Sequence, residues 1–508
     1  MKLFTAQQIR DWDAYTIKNE PIASIDLMER AASKCVEWLT SHFSQEADYE
    51  IYCGIGNNGG DGLAIARLLN EQGIKVAVNI LKLKDNGSPD FEENLKQLQG
   101  TEVTINEIKS VKEFRASSSN TILIDALFGT GLNKPLEGLA ADLVEHINKQ
   151  KNIKVSVDIP SGLPAEFMDR YVDYKNIIIA DFTLSFQIPK QSFLFAETGK
   201  YVGELAVLDI GLSEEYEDSI PSNWQWIDEG IVKAVYKIRN PYSHKGTYGH
   251  ALIIGGAMGT NGAVQMASKS AVKAGAGLVT AFVPQSAYAP LQTAVPEVMV
   301  EAIQKEELLD FMPHDTKKYT AIGIGVGMGT QITTRDALGD FMAGVEGEKL
   351  VIDADALNCL SMDFTERKKI KLPAGVILTP HSKEFDRMFG ESETSYQRFE
   401  KQLEVAKQHN IYIVLKGTYT SVVLPTGETF FNSTGNAGMA TGGSGDVLTG
   451  IITALRAQGY NQQEACILGV YIHGLAGDMA LKTESHESLT ATDIIKNLGA
   501  AFKYVANF

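Results

Sequence analysis

Residues 438–450 read Gly-Met-Ala-Thr-Gly-Gly-Ser-Gly-Asp-Val-Leu-Thr-Gly. Small residues leave the backbone N–H groups of such a loop free to converge on an anion. The apolar run from Val447 to Leu455 predicts a buried helix, whose N-terminus adds a partial positive charge. Asp446 stands where loop becomes helix. A carboxylate beside an anion site is a poor phosphate ligand and a good base. It can take the proton of a hydroxyl while the loop amides, that of Gly445 among them, stabilise the phosphoryl group being attacked. Taken alone, the loop also reads as a glycine turn with an acidic helix cap.

The first half of the chain carries a second glycine loop. Gly54-Ile55-Gly56-Asn57-Asn58-Gly59 lies between an apolar run at 51–53 and a helical stretch, the pattern of a dinucleotide-binding turn. A redox site of that kind needs an acid near the end of the next strand to hold a ribose. That strand, 76–81, is Val-Ala-Val-Asn-Ile-Leu and has none, while Asn57, Asn58 and Asp61 crowd the loop with side-chain oxygens. An ordinary nicotinamide-dependent oxidoreductase is therefore set aside. Asp125 and Asp158 close two further apolar runs. Each precedes a flexible loop, Gly129-Thr130-Gly131-Leu132-Asn133-Lys134-Pro135 after the first and Pro160-Ser161-Gly162 after the second. Parallel sheets bind ligands outside the carboxyl ends of their strands, which puts Asp61, Asp125 and Asp158 in one crevice. Singly, each is as readily a helix cap. Oxygen donors of this kind suit a hard cation better than zinc.

The second half repeats the theme around the Asp446 loop. Ala251-Leu252-Ile253-Ile254 leads into Gly255, Gly256, Gly259 and Gly262, then a helical stretch containing Ala263. Gly325-Val326-Gly327 ends another apolar run, and Asp353-Ala354-Asp355 ends the next. Thr379-Pro380-His381-Ser382-Lys383-Glu384 and Lys416-Gly417-Thr418-Tyr419-Thr420 follow two more. No Gly-x-x-x-x-Gly-Lys-Ser/Thr is present, which excludes a P-loop enzyme. His381 alone reads equally as a packed polar residue, Lys416 as a solvated one, and Glu384 as a helix cap.

Two sets of elements must position these residues. A chain of 508 residues exceeds one ordinary core, and at 44% hydrophobic and 21% charged residues it is globular. Apolar β-rich runs at 51–53, 76–81, 122–126, 155–159, 182–186 and 205–210 alternate with helical stretches, which predicts βαβ units and a mostly parallel sheet. Residues 6–39 read as helix interrupted near Pro21. The pattern restarts with runs at 251–254, 278–283, 321–324, 350–352, 376–378, 412–415 and 420–424. We therefore divide the chain into 1–212, an acidic linker at 213–230, and 231–508, with an α/β fold in each domain. The net charge of −17 argues against nucleic acid and anionic membrane as partners. Four scattered cysteines, no signal-peptide core and no membrane-length apolar run lead to a cytoplasmic expectation.

Asn57-Asn58-Gly59-Gly60-Asp61-Gly62, taken with Val157-Asp158-Ile159-Pro160-Ser161-Gly162, resembles the NAD(P)H-hydrate epimerase domain. The resemblance runs over residues 1–212 and implies a Rossmann-like three-layer fold that equilibrates the R and S forms of hydrated NADH and NADPH. It implies potassium held by Asn58, Asp125 and Ser161. It also implies substrate contacts from Asn57, Asn58, Gly59, Gly60 and Asp61, from Gly129 through Pro135, and from Asp158. We assign Asp158 as the acid–base residue, because inverting the carbon centre needs a proton donor or acceptor within reach.

Residues 231–508 resemble the ADP/ATP-dependent NAD(P)H-hydrate dehydratases, which have a ribokinase-like α/β fold, most specifically in the loop ending at Asp446. That resemblance implies phosphoryl transfer from ADP or ATP to the ring hydroxyl of the S hydrate, followed by loss of phosphate. Asp446 would remove the hydroxyl proton. Lys416, Gly417, Thr418, Tyr419, Thr420 and Gly445 would contact the nucleotide, and Ala263, Gly327, His381 and Asp446 the hydrated dinucleotide. Glu384 would be an outer ligand of Mg²⁺. The family has Pro-Gly after the histidine, where this chain has Ser382-Lys383. The expectation is a bifunctional repair enzyme, and a homo-oligomer. The alternatives are a ribokinase-type kinase of a small alcohol carrying a non-catalytic Rossmann-like domain, and a binding module in the first half.

Overall fold

The computed structural model describes residues 1–44, 46–132, 134–167, 175–366 and 372–507. It separates into two compact units, residues 2–222 and residues 223–508 with Met1. Within the stretch expected as a linker, 214–219 is a short helix of the first unit and Trp224–Ile227 a strand of the second.

The first unit has one parallel sheet of seven strands: β1 (Asp48–Cys53), β2 (Val76–Leu81), β3 (Thr104–Ile108), β4 (Thr121–Ala126), β5 (Lys154–Val157), β6 (Phe182–Phe186) and β7 (Glu204–Leu208). The order is β3-β2-β1-β4-β5-β6-β7, so the chain reverses its direction of winding between β1 and β4. Alternate residues feed two cores. Ile51, Cys53, Val78, Ile80, Ile122 and Ile124 pack with the helices Ser24–His42 and Asn57–Glu71. Tyr52, Leu81 and Leu123 pack on the other face with Leu143, Val144 and Ile147 of the helix Gly138–Lys149. Helices therefore cover both faces, the three-layer arrangement that near-continuous apolar strands require. The opening helical stretch is broken around Pro21 into Ala6–Asn19 and Ser24–His42. β3 was not anticipated. It is an edge strand with only Ile108 buried, so it lacks the apolar signal of its neighbours.

The second unit contains β8 (Trp224–Ile227), β9 (His250–Gly255), β10 (Leu278–Val283), β11 (Met299–Ala302), β12 (Ala321–Val326), β13 (Leu350–Ile352), β14 (Ile377–Leu378), β15 (Tyr412–Leu415), β16 (Ser421–Val423) and β17 (Thr429–Asn432). Their order is β11-β10-β9-β12-β13-β14-β15-β16-β17-β8. The sheet is parallel as far as β15; β16 and β17 add antiparallel, and β8 lies parallel on β17. Here the winding reverses between β9 and β12. The helix Ser444–Ala457 is buried along most of its length against Asn261–Lys273 and Gln462–Ala480. A Cβ on Gly450 would stand 2.1 Å from Ala267 O and 2.1 Å from Ser270 Oγ, so these helices touch backbone to backbone. Among the described residues no helix is long and apolar enough to cross a membrane.

Candidate active sites

In the first unit the switch point between β1 and β4 opens on a cavity of about 630 Å³. The glycines at its edge are needed for close approach. A Cβ on Gly54 would meet Leu127 O at 1.9 Å, and one on Gly59 would meet Gly54 O at 1.8 Å. Asn57, Asn58, Asp61, Gly129, Thr130, Gly131, Leu132 and Asp158 all line the cavity. Gly59 and Gly60 lie behind it, with Gly60 against Met28, while Lys134 and Pro135 are exposed and away from the lining. Asn133 is outside the described residues.

Asp125 is buried beneath the floor. It accepts hydrogen bonds from Ser161 Oγ at 2.5 Å, Ser161 N at 2.8 Å, Ser156 Oγ at 2.8 Å and Leu127 N at 3.3 Å. Burial raises its proton affinity, and the four donors pull it back. Ser161 Oγ in turn accepts from Phe128 N at 2.8 Å, which ties the loop after β4 to the loop after β5. The neighbouring Asn58 amide nitrogen is buried without a hydrogen-bond partner.

Asp158 follows β5 with φ +66°, a left-handed conformation uncommon outside glycine. That turn aims its carboxylate at Lys190, whose Nζ lies 2.7 Å from Oδ1, and Oδ1 also accepts from Phe186 N at 3.2 Å. Lys190 is 1% exposed and is held by Ser185 Oγ at 3.1 Å and Phe186 O at 3.1 Å. Asp13, from the first helix, also lines the cavity. Burial and then the Asp158 charge push its carboxyl up to about 7, against the pull of Lys190. Asp61 is raised well above the ordinary range by burial, then by Asp158 and Asp13. Neither Lys190 nor Asp13 was singled out from the sequence. Asp13 did carry a signal, since it stands between Ile9 and Ile17 at four-residue spacing and so interrupts an apolar stripe.

In the second unit the ends of β14 and β15 meet in a bridge between His381 and Lys416. Beside it lies a cavity of about 730 Å³. His381, Lys416, Gly417, Thr418, Thr420 and Gly445 line it. Tyr419 does not, because its ring packs on Trp226 at 5.3 Å. Ser444, from the glycine loop, also lines it, as do Asn432, Asn436 and His473, which were not anticipated. His473 Nε2 lies 3.3 Å from Ser444 Oγ, and burial drives its pKa down to about 4, which keeps the ring neutral. Asp478 fixes the far wall by accepting from Gly435 N at 2.8 Å and Asn436 Nδ2 at 2.9 Å.

The reactive edge of this site is a charge network. Lys416 Nζ donates to Asp353 Oδ1 at 2.8 Å, and Thr449 Oγ1 donates to Asp353 Oδ2 at 2.6 Å. Glu384 lies 4.0 Å from Lys416 Nζ. Its Oε2 accepts from His381 N at 2.9 Å, and His381 Nδ1 accepts from Glu384 N at 3.3 Å, the reciprocal capping box of the helix Ser382–Phe389. Asp446, in the first turn of Ser444–Ala457, forms no ion pair among the described residues. Burial and then Asp353 raise its pKa to about 7, with Lys416 opposing. Gly443 at the N-cap has φ +93°, and a Cβ there would meet Met266 at 2.5 Å. Ala263 and Gly327 adjoin one another across Thr260, whose Oγ1 donates to Gly327 O at 2.8 Å. The following Gly329 N donates to Asp355 at 2.9 Å, which fastens this loop to the end of β13.

The arrangement can therefore hold an anionic nucleotide beside a base that carries its proton near neutrality. Comparison with known proteins adds the following. A family model described as NAD(P)H-hydrate dehydratase matches residues 251–499, and one described as YjeF-related protein N-terminus matches residues 24–192. The bifunctional NAD(P)H-hydrate repair enzyme of Moorella thermoacetica is 34% identical over 97% of this chain and 95% of its own length. Its Escherichia coli counterpart is 32% identical over 93% of this chain and 88% of its own. A solved structure titled ADP/ATP-dependent NAD(P)H-hydrate dehydratase from Bacillus subtilis is 28% identical. It covers 56% of this chain and 100% of its own, at a TM-score of 0.48.

Proposed function

This chain belongs to the family of bifunctional NAD(P)H-hydrate repair enzymes, and on that premise we propose a division of labour between its two sites. The enzyme is an NAD(P)H-hydrate epimerase joined to an NAD(P)H-hydrate dehydratase. In the first unit the hydrated dinucleotide lies along the Asn57–Asp61 and Gly129–Leu132 loops, and Asp158 moves a proton at the ring hydroxyl. Lys190 holds that carboxylate at 2.7 Å in a fixed orientation, which supports its assignment.

The residues near Asp125 fit potassium. Asn58 Oδ1, the Asp125 carboxylate and Ser161 Oγ offer oxygen donors with a single formal charge, the chemistry a large monovalent cation takes. Bound there, the ion would supply positive charge under the anionic substrate. In the second unit a magnesium ion would arrive with the nucleotide phosphates, and Glu384, which caps its helix beside Lys416, would reach it through water.

In the second unit ADP or ATP occupies the cavity beside Lys416, Gly417, Thr418, Thr420 and Gly445. The nicotinamide ring of the S hydrate lies between Asp446, Ala263, Gly327 and His381. Asp446 takes the hydroxyl proton as the oxygen attacks the terminal phosphorus, and the amides at the start of Ser444–Ala457 stabilise the transferring group. The phosphorylated oxygen then departs as phosphate, pushed out by the ring nitrogen as an iminium, and loss of a proton from the adjacent ring carbon restores the C=C bond of the dihydronicotinamide. One observation carries this reading: the Asp446 carboxyl stands at that helix terminus with its pKa raised to about 7, near the operating pH of a general base. Purified protein given S hydrate with ADP or ATP should restore absorbance in the NADH band. The Asp446→Asn variant should bind nucleotide and restore none. Loss of nucleotide binding in that variant would make Asp446 a structural cap, and silence of the wild type with both nucleotides would overturn the dehydratase assignment. Four buried cysteines scattered along the chain fit a reducing compartment, and we place the enzyme in the cytoplasm.

A further inference from the structure

Adjoining the larger cavity of the first unit lies a pocket of about 300 Å³. Its walls are mostly apolar, with Ile9 and Ile17 from the first helix, Leu27 and Met28 from the second, and Ile210 and Leu212. It suits a flat ring better than a phosphate. Asp13 stands at its junction with the larger cavity and lines both, as do Asp61 and Asp158; Lys190 lines the smaller pocket. Ile9, Asp13 and Ile17 follow one another at four-residue spacing along the helix Ala6–Asn19, so the carboxyl projects from the middle of an apolar stripe. Among the described residues it makes no hydrogen bond or ion pair of its own.

We propose that Asp13 is a second catalytic residue of the epimerase site, working from the helix wall while Asp158 works from the sheet edge. The inference rests on the epimerase reading of this site. Inverting the hydrated carbon requires its C–O bond to break and re-form on the other face. Asp13 gives its proton to the hydroxyl, which leaves as water while the ring nitrogen's lone pair fills the vacated position as an iminium. Water then adds to the opposite face, and Asp158 takes the proton it sheds. One proton enters and one leaves, so the count balances, and the reverse epimerisation uses the same two groups in exchanged roles.

The surroundings suit this division. Lys190 is committed to Asp158 at 2.7 Å, and the other charged groups lining these cavities near Asp13 are Asp61, Asp90 and Arg10. Burial and the Asp158 charge hold the Asp13 carboxyl at about 7, so a substantial fraction carries a proton at neutral pH.

The test uses the full chain, R hydrate without nucleotide, and chromatographic separation of the epimers. Asp13→Asn should lower kcat for exchange by ~100-fold or more with KM within a few-fold, as removal of a general acid does. Asp13→Glu should recover part of the rate. The wild-type rate should fall above about pH 7 as Asp13 loses its proton, and that fall should be missing from the residual activity of Asp13→Asn. In ¹⁸O-water the wild type should label the hydroxyl faster than Asp13→Asn does. Wild-type kcat and an unchanged alkaline fall in Asp13→Asn would overturn the inference, as would loss of that fall in Asp61→Asn instead. A wild type that exchanges no epimers would sink the epimerase reading itself, and the inference with it. An inactive Asp158→Asn beside a fully active Asp13→Asn would sink the inference alone.

Discussion

Replacing Asp446 by Asn should abolish dehydration and at the same time stabilise the second unit. The carboxyl is buried beside Asp353 and carries a pKa of about 7, against 3.8 for a free aspartate. A folded-state pKa above the unfolded value means that the native state binds more protons than the unfolded state between those two values. Stability is therefore lost as pH rises through that window, and the cost is complete above about 7. At about 1.4 kcal/mol per pH unit the shift sets a ceiling of ~4 kcal/mol, and partial contact with the water of the cavity brings the expected cost to ~2–4 kcal/mol. Asparagine keeps the shape and discards the charge. At about pH 8 the variant should unfold some 4–8 °C higher than the wild type, taking ~2 °C per kcal/mol for a unit of this size. At about pH 4.5 the difference should shrink to roughly a quarter, because the folded-state carboxyl is then protonated while the unfolded one is still largely ionised, and it should vanish at about pH 3, where both states are protonated. The transition to follow is the one that nucleotide moves upward, which identifies the second unit. A variant no more stable than wild type at about pH 8 would refute the reasoning. Asp446 would then be an ordinary solvated helix-terminal acid, and its fitness as a base near neutrality would go with it.

Three other expectations are simpler to state. Asp158→Ala should stop exchange between R and S hydrates while leaving dehydration of the S form intact; surviving exchange would reassign the proton carrier. Lys416→Met strands the buried Asp353 without a cation and should cost ~3–5 kcal/mol in urea unfolding. Because Lys416 opposes the rise of Asp446, the acid limb of the dehydration pH profile should also move upward in that variant, and an unmoved limb would break the proposed coupling. Gly450→Ala should lower stability by ~3 kcal/mol or more, since its Cβ would sit 2.1 Å from Ala267 O; chemical denaturation near the wild-type midpoint would show that the helices can part.

What the sequence conveyed most clearly was chemistry concentrated at strand ends. Glycine loops after β1, β9 and β12 read directly, because a turn that must approach another backbone within a Cβ's radius excludes every other residue. Most central strands read equally well as apolar runs. The edge strands β3 and β11 did not, since an exposed edge needs no apolar alternation. Lys190 and His473 were also out of reach. Each acquires its role from partners distant along the fold's contacts, and Gln-Ile-Pro-Lys-Gln carries no local pattern that marks a buried ammonium. Glu384 shows how one spacing serves two roles: its distance from His381 matches a ligand motif and a capping box equally, and the backbone hydrogen bonds of the structure realise the cap. Tyr419 sat inside a nucleotide-contact run, yet alternation along the chain turns its ring onto Trp226.

Both sites make an acid and a base out of aspartates by rationing lysine. In the first unit the buried ammonium of Lys190 is committed to Asp158, and the carboxyls that share the cavity without a cation, Asp13 and Asp61, are driven upward by burial and by the paired charge. In the second, Lys416 is committed to Asp353, and Asp446 is driven upward by burial and by Asp353. A second lysine close enough to pair with the remaining carboxyls would neutralise them and remove their affinity for a proton near neutral pH. A missing lysine would leave two like charges that cannot both ionise in one enclosed space. The lysine paired to a carboxylate in each site therefore decides which aspartate orients and which one carries the proton. By that reasoning, placing an additional lysine at the edge of either cavity should lower the proton affinity of the carrier and acidify the pH profile of that activity alone.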